Sequence, residues 1–527
     1  MNAELTPDGK FIHLTDLSSL ESRQLQLSFT KKIPNWFLIK QKNPAANIES
    51  SFINTYNYIP AGLWVELVKI CKKCNFSLNF LNDFNCKIKS CEFDISYLED
   101  YINELYKNNS KGHFPFKHQI EGVYNIFLYK NCNLAISTSG GKTLLAYLMF
   151  KFFLERFNTK KILYVVPNMD LATQSLKKFL IYDEDNGVET TWTHAEIHSG
   201  VKKLKEYNHN IIFGTYQSLC KKPLEFFKDF EVLFIDEAAH AKANSIKNII
   251  TKCVNAKYKV GVTGTFPKTD TYESFVIQSY IGPLVYEYKS SELIYDAKLA
   301  TPVHCYGMLL DYLSFEEKKA LYNVRKFINA DTFELAKKTL NDEKTIARKS
   351  NKRFNYICNL AMSTTKNTLI LFGDVQNEYG KKIYHYIKEN SDKNVYYIDG
   401  GVDNVYREYA KTQIEEDTTG NTIIVASIGT FAEGIDIGNL WNIFLIETTK
   451  SDDILGQILG RGMRNYPGKD KVILVDIGDD FRYGESINDK KLNNYLYKHY
   501  VEREKIYKER GFPYHSQQVN LNENKLF

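Results

Sequence analysis

Two series of short apolar runs, each spaced by helix-length segments, constrain this chain more than any other feature. The first series is Asn133–Ile136, Ile162–Val166, Ile211–Phe213, Val232–Ile235 and Lys259–Val262. The second is Thr368–Phe372, Val395–Ile398, Thr422–Ala426, Ile443–Ile446 and Val472–Val475. Strands buried on both faces of a parallel sheet read as continuous apolar runs, because neither face is left to water. Their regular return between helical stretches predicts an α/β fold of two doubly wound domains in tandem.

The flanking segments read differently. Residues 1–108 mix strand-like and helical patterns, with alternation at Leu25–Phe29, an apolar run at Trp36–Ile39 and helical periodicity over Ala61–Cys74 and Ser96–Tyr106. They are expected to form a small α+β accessory domain, ending near the polar, Gly-containing stretch Lys107–His113. The first α/β domain is placed at 109–295, a mainly helical connector at 296–362, the second α/β domain at 363–485 and a charged helical tail at 486–527.

Composition limits the classes open to such a chain. No apolar run approaches the roughly 18 residues of a membrane span, and the start MNAELTPDGK lacks a basic stretch leading into an apolar core. With nine scattered cysteines, the expectation is a reduced cytoplasmic protein. Cys71, Cys74, Cys86 and Cys91 have a spacing that zinc sites use, but Cys71 and Cys74 fall in an amphipathic helix, where buried thiols are the simpler expectation. The net charge of +5 permits a nucleic-acid partner without demanding one.

Ile136-Ser137-Thr138-Ser139-Gly140-Gly141-Lys142-Thr143 follows a predicted strand and opens a predicted helix. In that context it reads as a phosphate-binding loop. Backbone N–H groups of Thr138, Ser139, Gly140 and Gly141 and the helix N-terminus would face the phosphates of ATP. Lys142 would reach the β- and γ-phosphates, and the Thr143 hydroxyl would ligate Mg²⁺. Ile136 stands where the common pattern has its first glycine.

The run Val232–Ile235 ends in Asp236-Glu237. Acids at the carboxyl end of a parallel strand lie in the crevice where such sheets bind ligands. Asp236 would hold the magnesium ion, and Glu237 would polarise an attacking water as general base. Upstream, Gln119 offers the donor and acceptors that reading the adenine edge requires.

With these motifs in order, the chain resembles superfamily 2 helicases of the DEAD/DEAH type. Gln119 looks like the Q motif and Ser137–Thr143 like motif I. Val166-Pro167-Asn168 resembles motif Ia, Gly214–Leu219 motif Ic, Asp236–His240 motif II and Thr263-Gly264-Thr265 motif III. In the second series, Thr430-x-x-Glu433-Gly434-Ile435-Asp436 resembles motif V, and Gln457-x-x-Gly460-Arg461-x-x-Arg464 resembles motif VI. Motif II departs from the family, with Ala239 at its fourth position and His240 one later.

The resemblance implies two RecA-like domains, ATP hydrolysis and a nucleic-acid track. Gly434, Asp436, Gln457, Arg461 and Arg464 are expected at the nucleotide, with the two arginines reaching ATP from the second domain as rigid, always-charged forks. Pro167, Thr215, Gln217 and Thr430 are expected along the strand's phosphates, so binding would be largely independent of sequence.

Within the superfamily the chain looks like the phage UvsW type of recombination and branch-migration DNA helicases. Its Phe29-Thr30-Lys31-Lys32 and Tyr58–Trp64 segments and the tail His499-x-x-x-Arg503-x-x-x-Tyr507-x-x-x-Gly511-Phe512 are similar to that group's. The implied partner is single-stranded, forked or branched DNA, in preference to RNA, acted on by a monomer alongside recombination or replication proteins. The basic stretch Lys31, Lys32, Lys40 and Lys42, with Trp36 and Phe37 between, is a candidate DNA contact, or else an edge strand guarded by lysines. Two other readings stand beside the helicase: a motor subunit of a restriction or nuclease complex, and a nucleic-acid binder with a dead ATPase. No nuclease constellation of the P-D…[D/E]-x-K type is evident in this chain. The joint presence of Lys142, Thr143, Asp236, Glu237, Arg461 and Arg464 argues against the dead ATPase.

Overall fold

A computed structural model describes the chain except residues 35, 37–38, 41–42, 83, 85–87, 90, 113, 138, 198–207, 240–242, 297–299, 328–332, 374, 377, 435–436, 448, 450, 484–493 and 523–527. It divides into two compact units, Met1–Tyr288 and Lys289–Phe527.

The first unit begins with six short strands, β1 (Asn2–Leu5), β2 (Phe11–Thr15), β3 (Thr30–Lys32), β4 (Glu49–Ser51), β5 (Tyr58–Pro60) and β6 (Asn79–Phe80). Four form a mixed sheet in the order β5-β2-β1-β6, and β3 and β4 make an antiparallel ribbon. Leu25–Phe29, whose alternation suggested a strand, is the end of the helix Ser19–Phe29. The cause is local: the Glu21 N–H donates to Ser18 Oγ and the Ser18 N–H returns to Glu21 Oε2, a reciprocal cap that commits the segment to helix.

This N-terminal layer shares a core with the helix Tyr272–Tyr280. Phe275 of that helix is fully buried among Leu25, Phe29, Ile59 and Leu67. Its ring meets Phe29 and Phe52 edge-on, with centroids 5.8 and 5.3 Å away. Lys31, a candidate DNA contact or edge-strand guard, is turned inward: it is 9% exposed, pairs with Asp270 and lies 4.4 Å from the Phe275 ring centroid. Lys32 lies over the Trp36 ring at 5.0 Å, and Lys40 donates to the Pro44 carbonyl. Lys42 and Phe37 lie outside the described residues.

Seven strands then form one sheet: β7 (Asn131–Ile136), β8 (Ile162–Val166), β9 (His194–Ile197), β10 (Ile211–Thr215), β11 (Val232–Asp236), β12 (Tyr258–Thr263) and β13 (Leu284–Tyr288). All pairings are parallel, in the order β13-β7-β12-β11-β8-β10-β9. Alternate residues feed two cores, as a strand's two-residue period requires. Ile162, Tyr164 and Val166 enter one, and Leu163 and Val165 the other.

The second unit repeats this plan with β14 (Val303–Asp311), β15 (Thr368–Phe372), β16 (Asn394–Ile398), β17 (Thr422–Ser427), β18 (Asn442–Leu445), β19 (Val472–Asp479) and β20 (Tyr514–Asn520). These are again all parallel, in the order β16-β17-β15-β18-β19-β14-β20. β14 arises within the stretch expected to be mainly helical, and β20 within the expected helical tail. β20 is largely exposed and polar, and its register is set by its pairing with β14 rather than by an apolar pattern. Between them, the helix Tyr495–Glu509 buries Leu496, His499, Tyr500, Arg503 and Tyr507. The Arg503 guanidinium forms a buried ion pair with Asp476 of β19. Among the described residues, no helix is long and apolar enough to cross a membrane.

Candidate nucleotide site and nucleic-acid track

The expected phosphate loop lies between β7 and the helix Lys142–Arg156. Gly141 caps that helix with φ +78°, and a Cβ there would meet Gln119 Nε2 at 2.1 Å. The positive φ favours glycine, and any Cβ would push the Gln119 amide from its place. The loop is held from behind by two side chains of the helix Lys117–Tyr129. Gln119 Nε2 donates to the Gly140 carbonyl at 3.1 Å, and His118 Nε2 lies 2.8 Å from the same oxygen. The His118 ring stacks on Tyr288 at 4.1 Å, and the Tyr288 carbonyl accepts the Ser137 N–H.

Gln119, expected to read adenine, is 2% exposed here. Its other amide atom accepts the Phe116 N–H at 2.9 Å. In this state its hydrogen bonds therefore brace the loop. Thr138 lies outside the described residues. The Ser137 hydroxyl is buried with no hydrogen-bond partner among the described residues, next to the loop whose backbone would meet phosphate.

β11 ends in the acid pair. Asp236 is buried, accepting from Tyr164 OH at 3.0 Å and from the Glu237 N–H at 3.0 Å. Burial raises its carboxyl above the usual carboxylate range; the Lys142 ammonium opposes the rise and Glu237 adds to it. Glu237 has φ +50°, left-handed for a residue with a Cβ. Such strain persists only where surroundings impose it, and it collects at functional sites. Here the Ala238 N–H is fixed to Val262 O, and Tyr216 OH donates to the Asp236 carbonyl at 2.7 Å. The turned backbone sends the Glu237 carboxylate to the Lys142 ammonium, forming an ion pair. Its second oxygen faces Thr263 Oγ1 at 3.5 Å and the Gly264 N–H at 3.4 Å.

Lys142, Asp236, Glu237 and the expected motif III are thus brought together at the carboxyl ends of β7, β11 and β12. The oxygen donors Thr143 and Asp236 are of the kind that hard divalent cations take. Ser139 stands in the loop between Ser137 and Gly140, and His240 lies outside the described residues. Cys71 belongs to the N-terminal core, whereas Cys91 packs against the separate core of the first large sheet. Cys86 lies outside the described residues.

Residues expected along nucleic acid lie at strand ends too. Pro167 follows β8. Thr215 ends β10 and donates to Ser218 Oγ at 3.1 Å, and Gln217 is exposed beside it. The second unit has the same device: Ser427 ends β17 and its hydroxyl is 2.7 Å from that of Thr430. Hydroxyl pairs at helix starts suit phosphate oxygens, and they equally serve as caps.

Gln457 and Arg461 share a face of the helix Asp452–Gly462, four residues apart. The Arg461 guanidinium lies 5.7 Å from the Phe431 ring centroid, which fixes the end of this helix against the helix Ile428–Gly434. Arg464 follows the helix, and its carbonyl accepts from Thr301 Oγ1 and Lys469 Nζ. Gly434 ends the helix Ile428–Gly434; Asp436 lies outside the described residues. Lys469 escaped the sequence reading because a lysine in a Pro-Gly-Lys-Asp turn has no distinguishing signal.

Residues 113–268 match a family described as type III restriction enzyme, res subunit. Over 480 residues the chain is 28% identical to the ATP-dependent DNA helicase uvsW of Enterobacteria phage T4, covering 88% of each. The chain is a superfamily 2 helicase.

This helicase also matches the type I restriction enzyme SauCOLORF180P endonuclease subunit of Staphylococcus aureus strain COL, 24% identical over 195 residues. That match takes in 35% of this chain and 20% of the relative. The solved structure of S. cerevisiae Dbp5 bound to RNA and ADP BeF3 shares its fold. That likeness has a TM-score of 0.52 at 15% identity, over 80% of the helicase and 94% of the solved chain. The two parallel sheets of the helicase are its tandem RecA-like domains, and it is an ATP-hydrolysing enzyme.

Proposed function

We propose that this helicase couples ATP hydrolysis to movement along DNA, separating strands or migrating branches during phage-type recombination and replication-fork processing. The observation that carries the reading is the convergence of Lys142, Asp236 and Glu237 at the carboxyl ends of adjacent parallel strands. The T4 relative, named an ATP-dependent DNA helicase and matched along 88% of both chains, supports DNA as the track.

In this reading Lys142 and the loop amides bind the β- and γ-phosphates, and Glu237 accepts a proton from the attacking water. Thr143 and Asp236 would hold Mg²⁺, which neutralises phosphate charge. Gln119 reads adenine after releasing the Gly140 carbonyl. Arg461 and Arg464 stabilise charge on the departing γ-phosphate. Pro167, Thr215, Gln217 and Thr430 contact the DNA backbone, with Gly434 and Asp436 near the nucleotide. The protein acts as a monomer in the cytoplasm.

A motor subunit of a restriction complex is the second reading, favoured by the family match at residues 113–268. It would need a nuclease from a partner. ATPase stimulation compared across single-stranded DNA, duplex, four-way junction and RNA tests the proposal. Branched or single-stranded DNA should stimulate most; stimulation by RNA alone would contradict it.

A further inference from the structure

Lys469 gathers three backbone carbonyls from two separate segments. Its ammonium donates to Gly438 O at 2.9 Å, Gly462 O at 2.8 Å and Arg464 O at 2.9 Å. Gly438 lies just beyond the expected motif V. Gly462 ends the expected motif VI helix, and Arg464 lies two residues beyond it. All three N–H donors of the ammonium are used. The last carbonyls of a helix are orphaned and carry the negative end of its dipole, so a cation there is doubly favoured.

A second charged side chain completes the brace. Glu415, on the helix Asn404–Glu416, accepts the N–H of Gly438 and, at 3.0 Å, that of Asn439. Tyr466 OH donates to the Glu415 carbonyl at 3.2 Å, and the Lys469 N–H to the Tyr466 carbonyl at 3.0 Å. Thr301 adds its own N–H to Met463 O and its hydroxyl to Arg464 O. The peptide carrying Arg464 is thus fixed through its backbone on several sides.

We propose that Lys469, supported by Glu415, is a positioning residue that locks the motif V loop to the end of the motif VI helix and so aims Arg461 and Arg464. The inference rests on the arginine roles proposed above. It goes beyond them by making hydrolysis depend on a residue whose ammonium is committed to three backbone carbonyls. A lysine suits this place because a compact ammonium satisfies three converging carbonyls, whereas a planar guanidinium does not.

The charge state of Lys469 has a consequence of its own. Burial pulls the ammonium down to about 7; Glu415 opposes that fall and Arg464 adds to it. A neutral amine keeps only two donors for three carbonyls. The brace is therefore complete on the acid side of this value and weakens as pH rises through it.

Steady-state ATP hydrolysis by the full chain with saturating DNA tests the proposal. Lys469→Met should lower kcat at least 10-fold while KM for ATP changes less than about 3-fold, since positioning an arginine for the transition state leaves ground-state binding largely alone. Wild-type kcat should fall between pH 7 and 9; Lys469→Arg, charged at every pH used but unable to meet all three carbonyls, should start from a lower kcat and show no such fall. Wild-type kcat in folded Lys469→Met, or matching pH profiles for wild type and Lys469→Arg, would overturn the brace. Arg461→Ala run alongside separates the failures. If that variant hydrolyses normally, the arginine reading falls; if it is inactive while Lys469→Met is not, only the brace falls.

Discussion

The Lys142 ammonium is paired with the Glu237 carboxylate, so the proposed phosphate-binding cation and the proposed general base neutralise each other in this state. Incoming phosphate must take Lys142 from Glu237, and the same exchange frees the carboxylate to accept a proton. Binding and activation of the base are then one event.

Glu237→Gln should separate the two effects. The amide holds Lys142 more weakly, so a fluorescent ATP analogue should bind as tightly as to wild type, or several-fold tighter. Hydrolysis should fall by about 10²–10⁴-fold, the usual worth of a positioned base. Equilibrium titration and single-turnover hydrolysis measure the two. Turnover near wild type would remove Glu237 from the chemistry.

Lys142→Ala should fail at the earlier step. It removes the phosphate contact and leaves Glu237 without this ion pair, so ATP affinity should fall at least 10-fold, read by the same titration. Normal turnover in this variant would sink the site assignment.

These residues were legible because their chemistry has a fixed spacing. Lys142 and Thr143 must open a helix after a strand, and Asp236 must end one. The central strands were legible for a related reason: β8, and β15 after Thr368, are continuous apolar runs because both faces are buried. β20 was not legible. Its Tyr-His-Ser-Gln-Gln-Val-Asn sequence has no buried face to advertise, and only its pairing with β14 makes it a strand. Gln119 was legible as a polar group near the loop, but its bond to Gly140 depends on how the helix Lys117–Tyr129 packs. Lys31 shows the same limit, since a basic stretch says nothing of which lysine turns inward.

Asp236→Asn should stabilise the nucleotide-free protein while abolishing Mg²⁺-dependent hydrolysis. Burial raises the Asp236 carboxyl in the folded state. Between the unfolded and folded values the folded chain binds more protons, so stability falls as pH rises through that window. The penalty is therefore larger on the alkaline side of that window. A neutral amide removes it, and Tyr164 OH can turn to accept the new donor because Ser175 Oγ lies 3.4 Å away. Thermal melts at pH 7 should show a Tm gain of about 2 °C for each kcal/mol relieved. A lower Tm would show that Asp236 stabilises this state.

Phe275→Ala should loosen the N-terminal layer. The ring is fully buried against Phe29, Phe52 and Lys31, and such truncations cost about 3–5 kcal/mol. Urea unfolding should show the first unit losing stability. Lys31→Ala should weaken the same layer without changing DNA affinity, because its ammonium faces Asp270 and Phe275. A drop in DNA affinity with unchanged stability would return Lys31 to the DNA surface.

If Arg461 and Arg464 stabilise charge on the departing γ-phosphate, as proposed, hydrolysis should fail without them. Single-turnover hydrolysis of bound ATP by Arg461→Ala, with branched DNA present, tests it most directly. The account expects hydrolysis at least 10³-fold slower than wild type, with ATP affinity within about 3-fold and an unchanged melting profile. Hydrolysis at the wild-type rate, or a loss wholly explained by unfolding, would contradict it.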